Sequence, residues 1–171
     1  MNADELLNAA MLNIAAVPGS LFIGQNVRYD GAATYKALEG IPDEQRICFP
    51  VAEELQLGYC TGLSLLGFLP VCIYPRMDFM MRAMDQLVLH LDKLEYMSRG
   101  QFSPKVIIRT RVGAKKPLDA GPQHTNDFCV AFAKMLKNVD VREIIDTRFI
   151  ERTYRMALES KRSSIVVEAW A

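Results

Sequence analysis

The sequence lacks a net charge: its 20 Lys and Arg balance its 20 Asp and Glu. A nucleic-acid-binding surface normally leaves a basic excess, so this balance argues against such a partner. Metal-holding residues are scarce too. His90 and His124 are the only histidines, and Cys48, Cys60, Cys72 and Cys129 show no CxxC spacing. A zinc site would therefore need an unusual ligand set, and no metal ligands are assigned. Each cysteine lies in an apolar stretch, which predicts buried reduced thiols rather than disulfides. No apolar run approaches membrane-spanning length. Residues Asn2 to Ala16 carry Asp4 and Glu5 without a basic leader, so no signal peptide is expected and a reducing cytoplasm is the expected location. GxGxxG, a Walker loop and paired CxxC are missing as well, which removes the common phosphate and redox signatures.

What is present is the make-up of an ordinary globular chain. Half of the 171 residues are apolar and 23% are charged, enough to bury a core as a single domain over residues 1–171. Leu6, Leu7, Ala10, Met11 and Ile14 recur at helical spacing and predict a helix from about Asp4 to Ala16, stopped by Pro18-Gly19. Short apolar runs predict strands at Ser20–Gly24, Arg46–Phe49, Leu69–Tyr74, Lys105–Arg109, Val141–Ile145 and Ser164–Glu168. Helices are expected between them: a small one at Ala32–Leu38, then Ala52 to about Gly67, Asp78 to about Met97, Asn126–Leu136 and Arg148–Ser160. Gly58 and Gly62 are four apart, which removes side chains from one face of their helix, so another backbone should approach closely there.

Strand and helix alternate, and the strands are continuous apolar runs, as expected when helices cover both sheet faces. The predicted fold is α/β: a three-layer sandwich around a doubly wound, mostly parallel sheet of roughly six strands. Ligands of such sheets bind beyond the carboxyl ends of the strands. Four loops are therefore candidates: Gln25 to Gly31, Pro50 to Glu54, Pro75 to Phe79 and Arg111 to Thr125.

Few residues in those loops can carry chemistry. Glu53 and Glu54 stand where a strand gives way to a helix; carboxylates there also suit the helix dipole. His124 ends a loop just before a helix, a place where a lone histidine is more often a solvated side chain than an acid–base group. His90 sits mid-helix, where packing or an interface is expected. Met77, Met80, Met81 and Met84, with Phe79, form a soft apolar cluster suited to core or interface. Lys115 and Lys116 could meet phosphate, although exposed loop lysines are usually just solvated.

Read in order, these loops resemble one family. Phe22-Ile23-Gly24-Gln25-Asn26-Val27 with Tyr29-Asp30-Gly31 is similar to the opening of the beta subunit of the decarboxylating (E1-type) component of 2-oxo acid dehydrogenases, such as pyruvate dehydrogenase. Pro50-Val51-Ala52-Glu53, then Gly58 and Gly62-Leu63, resembles the segment around that family's cofactor-activating glutamate. Pro70-Val71-Cys72, Phe79, Ala83-Met84-Asp85-Gln86, Tyr96-Met97-Ser98-Arg99-Gly100, Ile107-Ile108-Arg109 and Gln123-His124-Thr125 with Phe128 continue the likeness collinearly.

The resemblance implies a transketolase-like pyrimidine-binding domain with the thiamine diphosphate-binding fold. It implies that Glu53 hydrogen-bonds the aminopyrimidine of thiamine diphosphate, that Phe79 packs on that ring, and that His124 faces substrate. Gln25 stands at the edge of the same site, where these subunits often carry an acidic residue. Nothing resembles the GDG…N motif that holds diphosphate and Mg2+, so both are expected on a companion chain, in an α2β2-type heterotetramer, with a homodimer when alone. The expected activity is decarboxylation or carboligation of a 2-oxo acid or ketose. Family subunits continue into a C-terminal domain, whereas this sequence stops at Ala171; a shortened 2-oxo acid dehydrogenase subunit is therefore the alternative. A non-catalytic module that stabilises a partner is the reading from another class.

Overall fold

The computed structural model describes residues 2–115 and 119–170. Its sheet has six strands, all parallel, in the order β2-β1-β3-β4-β6-β5. These are β1 (Ser20–Gly24), β2 (Arg46–Cys48), β3 (Leu69–Ile73), β4 (Ile107–Arg111), β5 (Val139–Ile144) and β6 (Ser163–Glu168). The helices are α1 (Ala3–Ala15), α2 (Glu53–Leu65), α3 (Leu94–Met97), α4 (Cys129–Met135) and α5 (Ile150–Glu159).

Successive strand residues face opposite ways and feed two cores. Ile23, Cys72, Ile108, Ile165 and Val167 pack beneath α2, α4 and the helical stretch after β3. Phe22, Val71, Ile73, Ile107 and Val166 pack against α1 and α5. The three-layer α/β sandwich expected from the strand pattern is what forms. Each fully buried aliphatic side chain contributes roughly 1.5–3 kcal/mol, and β6 is buried along its whole length. The start of α1 is fixed by a reciprocal cap: Glu5 N–H donates to Asn2 Oδ1 at 2.9 Å, and Asn2 N–H donates to Glu5 Oε2 at 3.0 Å.

Four sequence expectations need correction. The long helix expected over Asp78 to Met97 is broken into a 3₁₀ segment at Met77–Ala83, a π segment at Gln86–Leu91, and α3. Tertiary anchors explain this. Asp92 is fully buried, and its carboxylate accepts from the backbone N–H of Lys137 at 2.8 Å and of Asn138 at 2.6 Å. Holding Asp92 there favours the wide turn from Asp92 N–H to Leu87 O at 3.0 Å.

The helix expected from Asn126 begins at Cys129 instead. Asn126 and Phe128 spend their amides on Asp78 and Met77, and Asp127 accepts from Cys129 N–H at 2.8 Å. The small helix expected at Ala32–Leu38 shrinks to a 3₁₀ turn over Lys36–Leu38. Finally, Cys48 is exposed, because β2 is a short edge strand; the other three thiols are buried and all are free. Among the described residues, no helix is long and apolar enough to cross a membrane.

Candidate functional site

The carboxyl ends of β1, β2 and β3 set the position of Glu53. Chain leaving β2 turns through Pro50 and Val51, so Glu53 becomes the first residue of α2. Two contacts fix that turn. Tyr74, just past β3, donates its phenol to the Glu53 backbone carbonyl at 2.7 Å. Gln56 is fully buried, and its amide donates to Ile73 O at 3.1 Å and to Ile23 O at 3.4 Å. Burial pushes the Tyr74 phenol far above its ordinary range, so it stays a donor at any physiological pH. At the sheet end, Gly24 permits close approach: a Cβ there would lie 2.7 Å from Ile73 O.

Burial separates the two adjacent carboxylates. Glu53 is 5% exposed, whereas Glu54 faces solvent. Glu53 borders a cleft of about 460 Å³ lined also by Val51, Glu54, Leu55, Gly58, Arg82 and Gln86. Its Oε2 lies 3.8 Å from Nε of Arg82, whose side chain is 80% exposed. Gln86 fills the space that a side chain at Gly58 would need, since a Cβ would come within 3.1 Å of Gln86 Oε1. Among the described residues, a Cβ at Gly62 would meet nothing within 4 Å, and at Gly58 the nearest atoms belong to the Gln86 side chain, so the close backbone approach expected on that face is not what forms.

Phe79 and His124, far apart in sequence, meet edge to face with ring centroids 5.5 Å apart and planes at 84°. Phe79 shares its 3₁₀ segment with Arg82, so one short element serves both the ring pair and the Glu53 cleft. Gln25 directly follows β1 and is half-buried. His90 is exposed rather than packed, with Nε2 3.5 Å from Asp85 Oδ2. Met77 and Met80 are core residues and Met81 is 45% exposed. Lys115 is exposed; Lys116 lies outside the described residues.

Sequence reasoning missed Arg82, Gln86 and Arg76. Arg82 and Gln86 fall one helical turn apart and line one wall, a signal available only once that segment is known to face the strand ends. Among the described residues, Asp127, Cys129 and Glu143 bring three ligand atoms within 4.8 Å of one another. Burial, with the Asp127 and Glu143 carboxylates beside it, pushes the Cys129 thiol well up and keeps it protonated.

The chain is 30% identical over 139 residues to the pyruvate dehydrogenase E1 component subunit beta of Caenorhabditis elegans, covering 78% of this chain and 38% of that protein. To the same subunit from Saccharomyces cerevisiae it is 33% identical over 134 residues, covering 75% and 36% respectively. Among solved structures, a split-gene transketolase described as an inactive beta4 tetramer superimposes with a TM-score of 0.74 at 16% identity, over 98% of this chain and 51% of that one. Transketolase from Campylobacter jejuni gives 0.72 at 15% identity, over 97% and 24%.

The chain has a transketolase-like fold and resembles pyruvate dehydrogenase E1 beta subunits. No protein-family model matches it. This transketolase-like chain spans little more than a third of the length of those E1 beta relatives.

Proposed function

We propose that this chain is the pyrimidine-binding, beta-type subunit of a two-chain thiamine diphosphate enzyme acting on a 2-oxo acid or ketose. One observation carries the reading: a buried carboxylate, Glu53, stands at the strand ends on the wall of a 460 Å³ cleft, whereas Glu54, which lines the same cleft, is exposed to solvent. The residues suit the cofactor's aminopyrimidine. Glu53 offers a carboxylate acceptor that is itself almost fully buried, where a hydrogen bond gains strength. Gln25 and Phe79 would border the ring. Once bound, thiamine diphosphate supplies the electron sink for breaking or making the bond beside a carbonyl.

The chain's own residues then have separate tasks. Glu53 holds a proton between its oxygen and a ring nitrogen, and its burial keeps competing water away. His124 faces substrate and donates or accepts a proton there. Arg82 balances the charge of Glu53 in the open cleft and, being exposed, is free to swing aside. Diphosphate and Mg2+ belong to the companion chain. The E1 beta likeness favours a 2-oxo acid over a ketose.

Assembly follows from exposed apolar surface. Val51 just before α2, Leu55 and Tyr59 on α2, and Met81 and Leu89 on the helical stretch after β3 are each between 41% and 76% exposed. Large apolar patches rarely stay bare in monomers. Met80, by contrast, is only 1% exposed and belongs to the core rather than this surface. The chain is read as a homodimer alone and an α2β2 tetramer with its companion, since twofold closure is the commonest solution. The split-gene transketolase, whose beta chains form an inactive tetramer, is a precedent for self-association without the companion.

Affinity purification from the native source, followed by calorimetry, tests the proposal. A companion carrying GDG…N should co-purify, and Mg2+-dependent thiamine diphosphate binding should need both chains. Tight Mg2+-dependent binding by this chain alone would contradict the shared site.

A further inference from the structure

His124 sits in a stretch without regular secondary structure between Gly121 and Phe128. Its own backbone offers little support: His124 N–H donates to Gly121 O at 3.1 Å, and Thr125 Oγ1 donates to the same carbonyl at 3.3 Å. A histidine that exchanges protons with substrate must be held more tightly than such a loop allows.

The hold comes from the start of the 3₁₀ segment, where four consecutive residues each grip one part of the loop. Arg76 Nη1 donates to the His124 carbonyl at 3.3 Å. Met77 Sδ accepts from Phe128 N–H at 3.3 Å. Asp78 Oδ1 accepts from Asn126 Nδ2 at 2.5 Å and from Asn126 N–H at 3.4 Å. Phe79 meets the imidazole ring itself.

Gly113 makes this approach possible. A Cβ at Gly113 would lie 1.9 Å from His124 O and 2.0 Å from Arg76 Nη1, so any side chain there would force both groups away. Among the described residues, buried Asp78 Oδ2 has no hydrogen-bond partner. Burying an unpaired carboxylate oxygen is costly, and its retention fits a group kept for what Oδ1 holds.

We propose that Arg76, Asp78 and Gly113 are positioning residues that fix the His124 ring against Phe79. The inference rests on the reading of His124 as the substrate-facing residue, while the clasp itself is a property of this chain alone. Asp78→Asn keeps the Oδ1 acceptor and replaces the orphaned oxygen with an amide. Asp78→Ala removes the acceptor, and Gly113→Ala blocks the seat by steric overlap.

The test has two arms. In the first, proton NMR follows the His124 ring signals in the full-length chain, assigned against His124→Ala and displaced from ordinary histidine positions by the Phe79 ring current; amide exchange is measured over residues 121–128. Asp78→Ala and Gly113→Ala should return the signals toward ordinary positions and speed exchange by about tenfold or more, the loss of one charge-assisted hydrogen bond. Asp78→Asn, which keeps the acceptor without its charge, should lie nearer the wild type than Asp78→Ala does. In the second arm, the chain assembled with its companion should lose kcat in the same two variants while keeping KM and cofactor affinity.

Unchanged ring signals and exchange in Asp78→Ala and Gly113→Ala would overturn the clasp whatever the chain's function. A loosened loop with normal kcat, where His124→Ala is impaired, would overturn positioning and leave the functional reading standing. Normal kcat in His124→Ala would remove the role of His124 and the inference with it.

Discussion

Nε of Arg82 lies 3.8 Å from Oε2 of Glu53, a pairing of one highly exposed side chain with one almost fully buried. The asymmetry limits its worth. An ion pair with one partner in water is screened and contributes roughly 0–1 kcal/mol. Arg82→Ala should therefore shift the urea midpoint only slightly. A loss of several kcal/mol would mean that the pair is a structural bridge that cannot open for a ligand.

A different ion pair does hold the fold. Arg109 of β4 donates from Nε to Glu168 Oε1 at 2.6 Å and from Nη2 to Oε2 at 3.3 Å, and Tyr154 of α5 donates to the same Oε1 at 2.8 Å. Burial opposes the Arg109 charge, but the Glu168 carboxylate outweighs it and keeps the guanidinium protonated. Removing one partner leaves a buried charge uncompensated. Glu168→Ala should cost about 3–5 kcal/mol in chemical denaturation; a cost below about 1 kcal/mol would show the pair to be incidental.

Asp92 gives the chain an acid-sensitive joint. Burial pushes its carboxyl up, but Lys93 and the Asn138 and Lys137 amides together outweigh that and hold it below the ordinary carboxylate range. The unfolded chain thus binds this proton more readily than the folded one. The stabilisation is fully present above the unfolded value of about 3.9 and is lost as pH falls through the lower folded value. Urea midpoints measured from neutral pH down to pH ~3 should fall less steeply in Asp92→Asn than in wild type, from a lower starting stability. Parallel curves would remove Asp92 from the acid response.

These features differ in how far the sequence alone discloses them. β1 is bounded by Pro18-Gly19 and Gly24, and it forms where that punctuation places it. The helical spacing around Asp78 to Met97 gives no sign of the breaks, because Asp92 is held by amides 45 and 46 residues away. Glu53 and Glu54 look equivalent as neighbours in a first helical turn; only the angle at which α2 leaves the sheet buries one and exposes the other. Phe79 and His124 stood out separately through resemblance. Their contact needs Gly113, which shows its purpose only when Arg76 and His124 are seen crossing beside it.

Glu53 is proposed to activate a thiamine cofactor shared with a companion chain. Deuterium exchange at the thiazolium carbon, followed by NMR in the assembled complex, tests it most directly because it reads activation before any substrate is bound. Proton transfer assisted by a positioned carboxylate typically contributes about 10²–10⁴-fold. Glu53→Gln should slow exchange by that order while the complex still assembles, and Glu54→Gln should leave it unchanged. Normal exchange in Glu53→Gln, or a loss confined to Glu54→Gln, would contradict the assignment.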